Sequence, residues 1–134
     1  MNKNLRDRLL RSARAAARNA YAPFSGFRVG AAVLAGSGRI YSGANVENSS
    51  FGLTVCAERV AVFKAVSAGE GTVKAVLVYT DTDELTPPCG ACRQVVFEFG
   101  PGAEVVVTNG RRFETRRLSD LLPSGFRFEK RSDR

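Results

Sequence analysis

Apolar positions along the chain fall into alternating helical and extended periods. Leu5, Leu9, Ala13, Ala16, Ala17 and Ala20 recur at helical spacing, which predicts an amphipathic first helix with one stripe on a core. Arg6, Arg8, Arg11, Arg14 and Arg18 share that stretch, opposed only by Asp7. A cleaved leader can look the same, but the stretch runs straight into Tyr21-Ala22-Pro23, so a retained helix is expected. Phe27 to Leu34 and Arg39 to Asn45 are strand candidates, and the two glycines of Ala35-Gly36-Ser37-Gly38 suit a tight hairpin between them. Cys56 to Ala68 reads as a largely apolar helix stopped by Gly69. Val73 to Thr80, apolar apart from Lys74, reads as a central strand, and Gly90 to Phe99 as a helix ending at Gly100-Pro101. Glu104 to Thr108 is a further buried strand, Arg112 to Arg117 a weaker one, and Leu118 to Leu122 a helical turn closed by Pro123. Helices alternating with strands in this way predict an α/β/α layered sheet.

Length and composition narrow this to one domain. A chain of 134 residues with 44% hydrophobic content can bury roughly two-thirds of its unfolded surface around one core and is too short for two. A single catalytic domain over residues 1–134 is the expectation. There is no apolar run of about 18 residues to cross a bilayer, and the three cysteines suit a reducing compartment. A cytoplasmic protein is therefore expected.

The cysteines carry the chemistry. Cys56 lies in Val55-Cys56-Ala57-Glu58-Arg59, and Cys89 and Cys92 lie in Pro87-Pro88-Cys89-Gly90-Ala91-Cys92-Arg93-Gln94, which leaves no thiol for a disulfide or a core position. This is the distribution of a zinc site. A structural zinc site is closed by four cysteine or histidine ligands, whereas a catalytic one keeps three protein ligands and an open position. The chain has three cysteines and no histidine. A metal held here would keep an open position beside Glu58, the nearest carboxylate in sequence, and that combination means hydrolytic chemistry. The separation of Cys56 from Cys89 suits two ligating helices bridged by a strand, with both thiolates at helix N-termini. Three thiolates leave a zinc centre with net negative charge, so a nearby cation is needed, and Arg59 is the candidate.

The C-A-E and P-C-x-x-C pair, together with Tyr21 to Ala32, Asn45-Val46-Glu47-Asn48 and Leu121-Leu122-Pro123, resembles the short, homotetrameric class of cytidine deaminases. That resemblance implies a three-layer α/β/α sandwich around a mixed five-stranded sheet, with one Zn2+ per subunit on Cys56, Cys89 and Cys92. It implies that Glu58 moves protons while water attacks C4 of the pyrimidine and ammonia leaves. Phe27 resembles the aromatic that packs on the pyrimidine, and Asn45 and Glu47 the pair that bonds the ribose hydroxyl. Ala57 resembles the residue whose backbone meets the base. Phe126 resembles an aromatic reaching into a neighbouring subunit's pocket. Arg59 and Gln94 would act behind the metal ligands. Phe51 departs from the pattern, standing where relatives often carry a tyrosine.

A formal charge of +7 raises a nucleic-acid partner, but the arginines are dispersed over the first helix, Arg111 to Arg117 and the tail, with no aromatic-interleaved basic stretch. The partner that the resemblance implies is a small nucleoside, and the dispersed charge argues against nucleic acid; no membrane partner is expected. Three alternatives stay open: a blasticidin-type nucleoside deaminase, a polynucleotide cytosine editor, and a non-catalytic zinc-binding module.

Overall fold

A computed structural model describes residues 1–130. Its elements run α1 (Lys3–Ala17), β1 (Val29–Ala35), β2 (Ile40–Ala44), a 3-10 turn (Phe51–Leu53), α2 (Ala57–Ser67), β3 (Val73–Thr80), α3 (Gly90–Phe99), β4 (Glu104–Thr108), β5 (Phe113–Arg117) and α4 (Leu118–Leu121). The strands form one sheet in the order β2-β1-β3-β4-β5. Only β3 and β4 pair in parallel, joined by the α3 crossover; the other neighbours are antiparallel. The expected three-layer sandwich with a mixed five-stranded sheet is the architecture found.

Residue parity divides the interior into two cores. Ala31 and Val33 of β1, Val76 and Val78 of β3 and Val105 and Val107 of β4 pack against Ala61, Val62 and Ala65 of α2, Val96 of α3 and Leu118 of α4. The alternate residues Ala32, Ala75, Leu77, Tyr79 and Val106 pack against Leu9, Leu10, Ala13 and Ala17 of α1. A sheet covered on both faces has no polar side to show, which is why β3 reads as a continuous apolar run.

Three expectations shift. β1 begins at Val29, not Phe27, because Asn45 breaks the ladder there: its Oδ1 accepts from the Val29 N–H at 2.9 Å and its Nδ2 donates to the Phe27 carbonyl at 2.8 Å. Ala20 is buried although α1 ends at Ala17, since the turn after the helix folds back onto the core. Cys92 is fully buried, which corrects the expectation that no thiol takes a core position: on α3 its side chain points inward and packs as well as offering sulfur.

The α1 layer is seated by one glycine. A Cβ on Gly30 would overlap the Ala13 carbonyl oxygen and lie 2.9 Å from Ala17 N, so α1 and β1 approach at backbone distance. Gly30→Ala is expected to destabilise the fold by about 2–3 kcal/mol and to lower Tm by roughly 5–10 °C in calorimetry. An unchanged Tm would contradict this helix–strand contact.

Candidate active site

Two helix starts converge at one end of the sheet. Cys56 is the N-cap of α2 and Cys89 the N-cap of α3, each in extended backbone conformation, and Cys92 lies one turn further into α3. Their sulfurs lie within 4.8 Å of one another. Cys56 Sγ is 3.9 Å from Cys89 Sγ, which is 3.5 Å from Cys92 Sγ. Three thiolates tetrahedrally disposed about a zinc at about 2.3 Å would be spaced by about 3.8 Å. The donor set therefore fits zinc in element type, number and spacing, and the three sulfurs are arranged to share one cation.

Electrostatics around the sulfurs point the same way. The neighbouring Cys92 thiol, with Arg59 and Cys89 contributing and burial opposing, brings the Cys56 pKa down to about 5. The same contact, with burial, pushes the Cys92 thiol up. A divalent ion bound by thiolates displaces the protons that the thiols carry. Arg59 Nη2 donates to Cys56 Sγ at 3.6 Å, and that bond raises the guanidinium pKa further. Its Nε is buried without a partner among the described residues, so this side chain is held against the sulfurs at a cost in solvation.

Glu58, the second residue of α2, is only 4% exposed. Burial raises its carboxyl pKa; its own backbone N–H opposes the shift and the Cys56 thiolate adds to it. A carboxyl so placed keeps a proton nearer neutral pH than a surface glutamate does, and proton transfer needs that.

Phe27, Asn45, Glu47, Cys56, Ala57, Glu58 and Cys89 all line one cavity of about 250 Å³. That lies near the roughly 300 Å³ lower end of small-molecule pockets. Asn45, 8% exposed, spends its amide on the Phe27 and Val29 backbones and so fixes the backbone that carries the Phe27 ring. Glu47 accepts from the backbone N–H groups of Phe24 at 2.9 Å and Ser25 at 3.2 Å, and from the Ser25 hydroxyl. The Ser25 hydroxyl bond, ahead of these backbone bonds, holds the Glu47 carboxyl below the usual range, so it stays charged. Two expected residues lie elsewhere: Gln94 Nε2 donates to the Phe126 carbonyl at 3.1 Å, and the Phe126 ring, 63% exposed, sits 5.8 Å from Phe128. Within this chain neither borders the cavity.

Sequence reading missed several residues. Ser25, Thr54, Thr86 and Pro87 also line the cavity. Ser25 could have been found as the hydroxyl inside the Tyr21 to Ala32 segment, and Thr86-Pro87 as the approach to the first P-C. Arg93 ties the α3 start in place, with Nε donating to the Pro88 carbonyl at 2.7 Å and Nη1 to the Leu121 carbonyl at 3.0 Å. No sequence signal marks its partners, because they are backbone atoms.

A three-thiolate site at paired helix N-termini, with a buried carboxylate opening on the same small cavity, defines a zinc-dependent hydrolase. Residues 3–108 match the cytidine and deoxycytidylate deaminase zinc-binding region, and the chain belongs to that family. It is 45% identical to a cytidine deaminase of Halalkalibacterium halodurans, covering 96% of this chain and 98% of the relative. A cytidine deaminase of Sporosarcina psychrophila is 47% identical over 90% of each chain. Among solved structures, the Burkholderia pseudomallei cytidine deaminase superposes with a TM-score of 0.85 at 43% identity, covering 94% of this chain and all of the other. The Mycobacterium tuberculosis cytidine deaminase gives 0.79 at 42%, over 91% and 97%.

The trio's geometry generates a metal prediction. Purified protein should carry one zinc per chain by elemental analysis, and Cys92→Ala should lose it, with a lower Tm, because two thiolates bind far more weakly than three. Full zinc occupancy in Cys92→Ala would remove the three-sulfur site.

Proposed function

We propose that the chain hydrolyses free cytidine and deoxycytidine to uridine and deoxyuridine plus ammonia, a reaction of pyrimidine salvage. The observation that carries this reading is the buried Glu58 carboxylate opening, beside the cysteine trio, onto a cavity sized for one small molecule. Cys56, Cys89 and Cys92 would hold a zinc ion, which when bound would supply the Lewis acid that makes water a nucleophile near neutral pH. The chain's own residues do the rest. Glu58 takes one proton from the attacking water and delivers it to N3 of the pyrimidine, then takes the remaining proton from the oxygen added at C4 and gives it to the amine, so that the C4–N bond breaks, ammonia leaves and C4 keeps a carbonyl oxygen. The Ala57 N–H, in the first turn of α2, has no intrahelical acceptor and is free to bond the base. Phe27 offers its ring to the pyrimidine face. Arg59 offsets thiolate charge, and Gln94 acts at one remove by holding the Phe126 backbone.

Asn45 and Glu47 set the sugar end. Glu47 keeps lone pairs beyond those used by Phe24 and Ser25, and its lowered pKa keeps it an acceptor for a ribose hydroxyl. A 3′-phosphate would face that carboxylate with like charge, so the residue that positions a nucleoside also repels a nucleotide chain.

The chain is further read as one catalytic domain of a cytoplasmic homotetramer whose pockets are completed by neighbouring subunits. Support comes from exposed apolar side chains no monomer needs: Phe51 at 73%, Leu53 at 66%, Phe126 at 63% and Phe24 at 51%. No helix among the described residues is long and apolar enough to cross a membrane.

Two experiments test these readings. Ultraviolet assay of purified protein should show cytidine turnover, and Glu58→Gln should lose at least about a hundredfold in kcat while keeping zinc. In the same assay cytidine 3′-monophosphate and a cytosine-containing oligonucleotide should fall at least about tenfold below cytidine in kcat/KM; equal values for the oligonucleotide would sink the free-nucleoside reading. Light scattering should give four times the chain mass, and a fully active monomer at nanomolar concentration would exclude shared pockets.

A further inference from the structure

We propose that the opposite face of the sheet carries a second site, an anion pocket for a small phosphate-bearing ligand, framed by Arg14, Arg18 and Arg28. These three arginines line a cavity of about 340 Å³ with Ala17, Tyr79 and Asp81. Strand parity fixes its position. Val78 lines the catalytic cavity and its β3 neighbour Tyr79 lines this one, and just ahead of β1 Phe27 and Arg28 divide the same way, so the two cavities lie on opposite sides of the sheet at β3.

Two of the guanidiniums are held before any ligand arrives. Arg14 lies over the Tyr79 ring, 5.2 Å from its centroid, and fills the space where a side chain at Gly110 would stand. Arg28 Nη1 donates to the Arg18 carbonyl at 3.0 Å, and Asn45 brackets Arg28 by bonding both flanking backbone groups. Arg14, Arg18 and Arg28 are absent from every ion pair among the described residues. Against three guanidiniums the cavity has one carboxylate, Asp81, which leaves an excess of two positive charges in a concave site. Planar, forked donors of this kind match phosphate oxygens.

The charge pattern favours a small anion over a nucleic acid strand. Asp81 on the rim would repel a run of successive phosphates, while a single phosphate group can avoid it. Tyr79, the aromatic of the cavity, is 9% exposed and lies beneath Arg14, so it offers no platform for stacked bases.

Calorimetric titration of the zinc-loaded protein with inorganic phosphate and with adenosine monophosphate, in phosphate-free low-salt buffer, tests this. Saturable binding is expected, weakened about tenfold by Arg14→Gln and again by Arg18→Gln, with cytidine turnover retained. Lys74→Gln, which removes equal charge from an exposed site on β3, should leave affinity unchanged. Stronger binding of adenosine monophosphate than of phosphate would identify a nucleotide as the ligand, and equal binding would identify the bare phosphate group. Absent binding, equal weakening in Lys74→Gln, or binding of a single-stranded oligonucleotide alone would overturn the proposal.

Discussion

Everything at the site depends on two helix N-termini meeting at one end of a sheet. Cys56 and Cys89 cap α2 and α3 with extended backbone and no side-chain cap bond, so both sulfurs are free to point forward, out of their helices. Each brings the partial positive charge of unpaired N–H groups to a place where three sulfurs crowd within 4.8 Å. That charge and Arg59 offset the mutual repulsion of thiolates held so close together. The parallel β3–α3–β4 crossover aims α3 toward α2, and the buried small residues Ala57, Ala61 and Ala65 let α2 lie close on the sheet. Packing thus sets sulfur spacing, and sulfur spacing sets the metal.

A shared requirement explains why the site residues have structural duties too. Asn45 binds two backbone groups that would otherwise be left unpaired at the start of β1, and by doing so fixes the backbone that carries the Phe27 ring. Glu47 closes the turn at Phe24 and Ser25, and the Ser25 hydroxyl in turn accepts from the Phe27 N–H at 3.0 Å. Phe27, Asn45 and Glu47 are therefore one connected unit. Replacing either polar residue would alter both the pocket and the chain entry to β1, so kinetic effects at these positions need a stability measurement beside them.

Legibility from sequence followed the range of the interactions. β3, β4 and α3 were readable to the residue because continuous apolar runs and Gly100-Pro101 are local signals. The cysteine trio able to hold zinc was readable because three cysteines and no histidine leave little choice. The start of β1 was misread because a side chain 18 residues away, Asn45, bonds the Phe27 carbonyl. Arg93 was invisible for the same reason, since it bonds carbonyls at Pro88 and Leu121. The inward-facing Cys92 could not be told from its exposed neighbour Cys89, as a C-x-x-C spacing specifies a shared turn but not which sulfur faces the core.

The +7 charge takes its meaning from where the sheet places it. Arg14, Arg18 and Arg28 stand on the α1 side, whereas the catalytic cavity on the other side contains Glu47 and Glu58. A substrate without formal charge, such as a nucleoside, has no electrostatic reason to prefer the basic side, and a phosphate has one to avoid Glu47. Net charge alone would assign this chain to polyanions; strand parity separates the anion-attracting surface from the reacting one. The same alternation of side chains that divides the hydrophobic cores therefore also divides the electrostatics, and a single residue step along β3, from Val78 to Tyr79, crosses from one to the other.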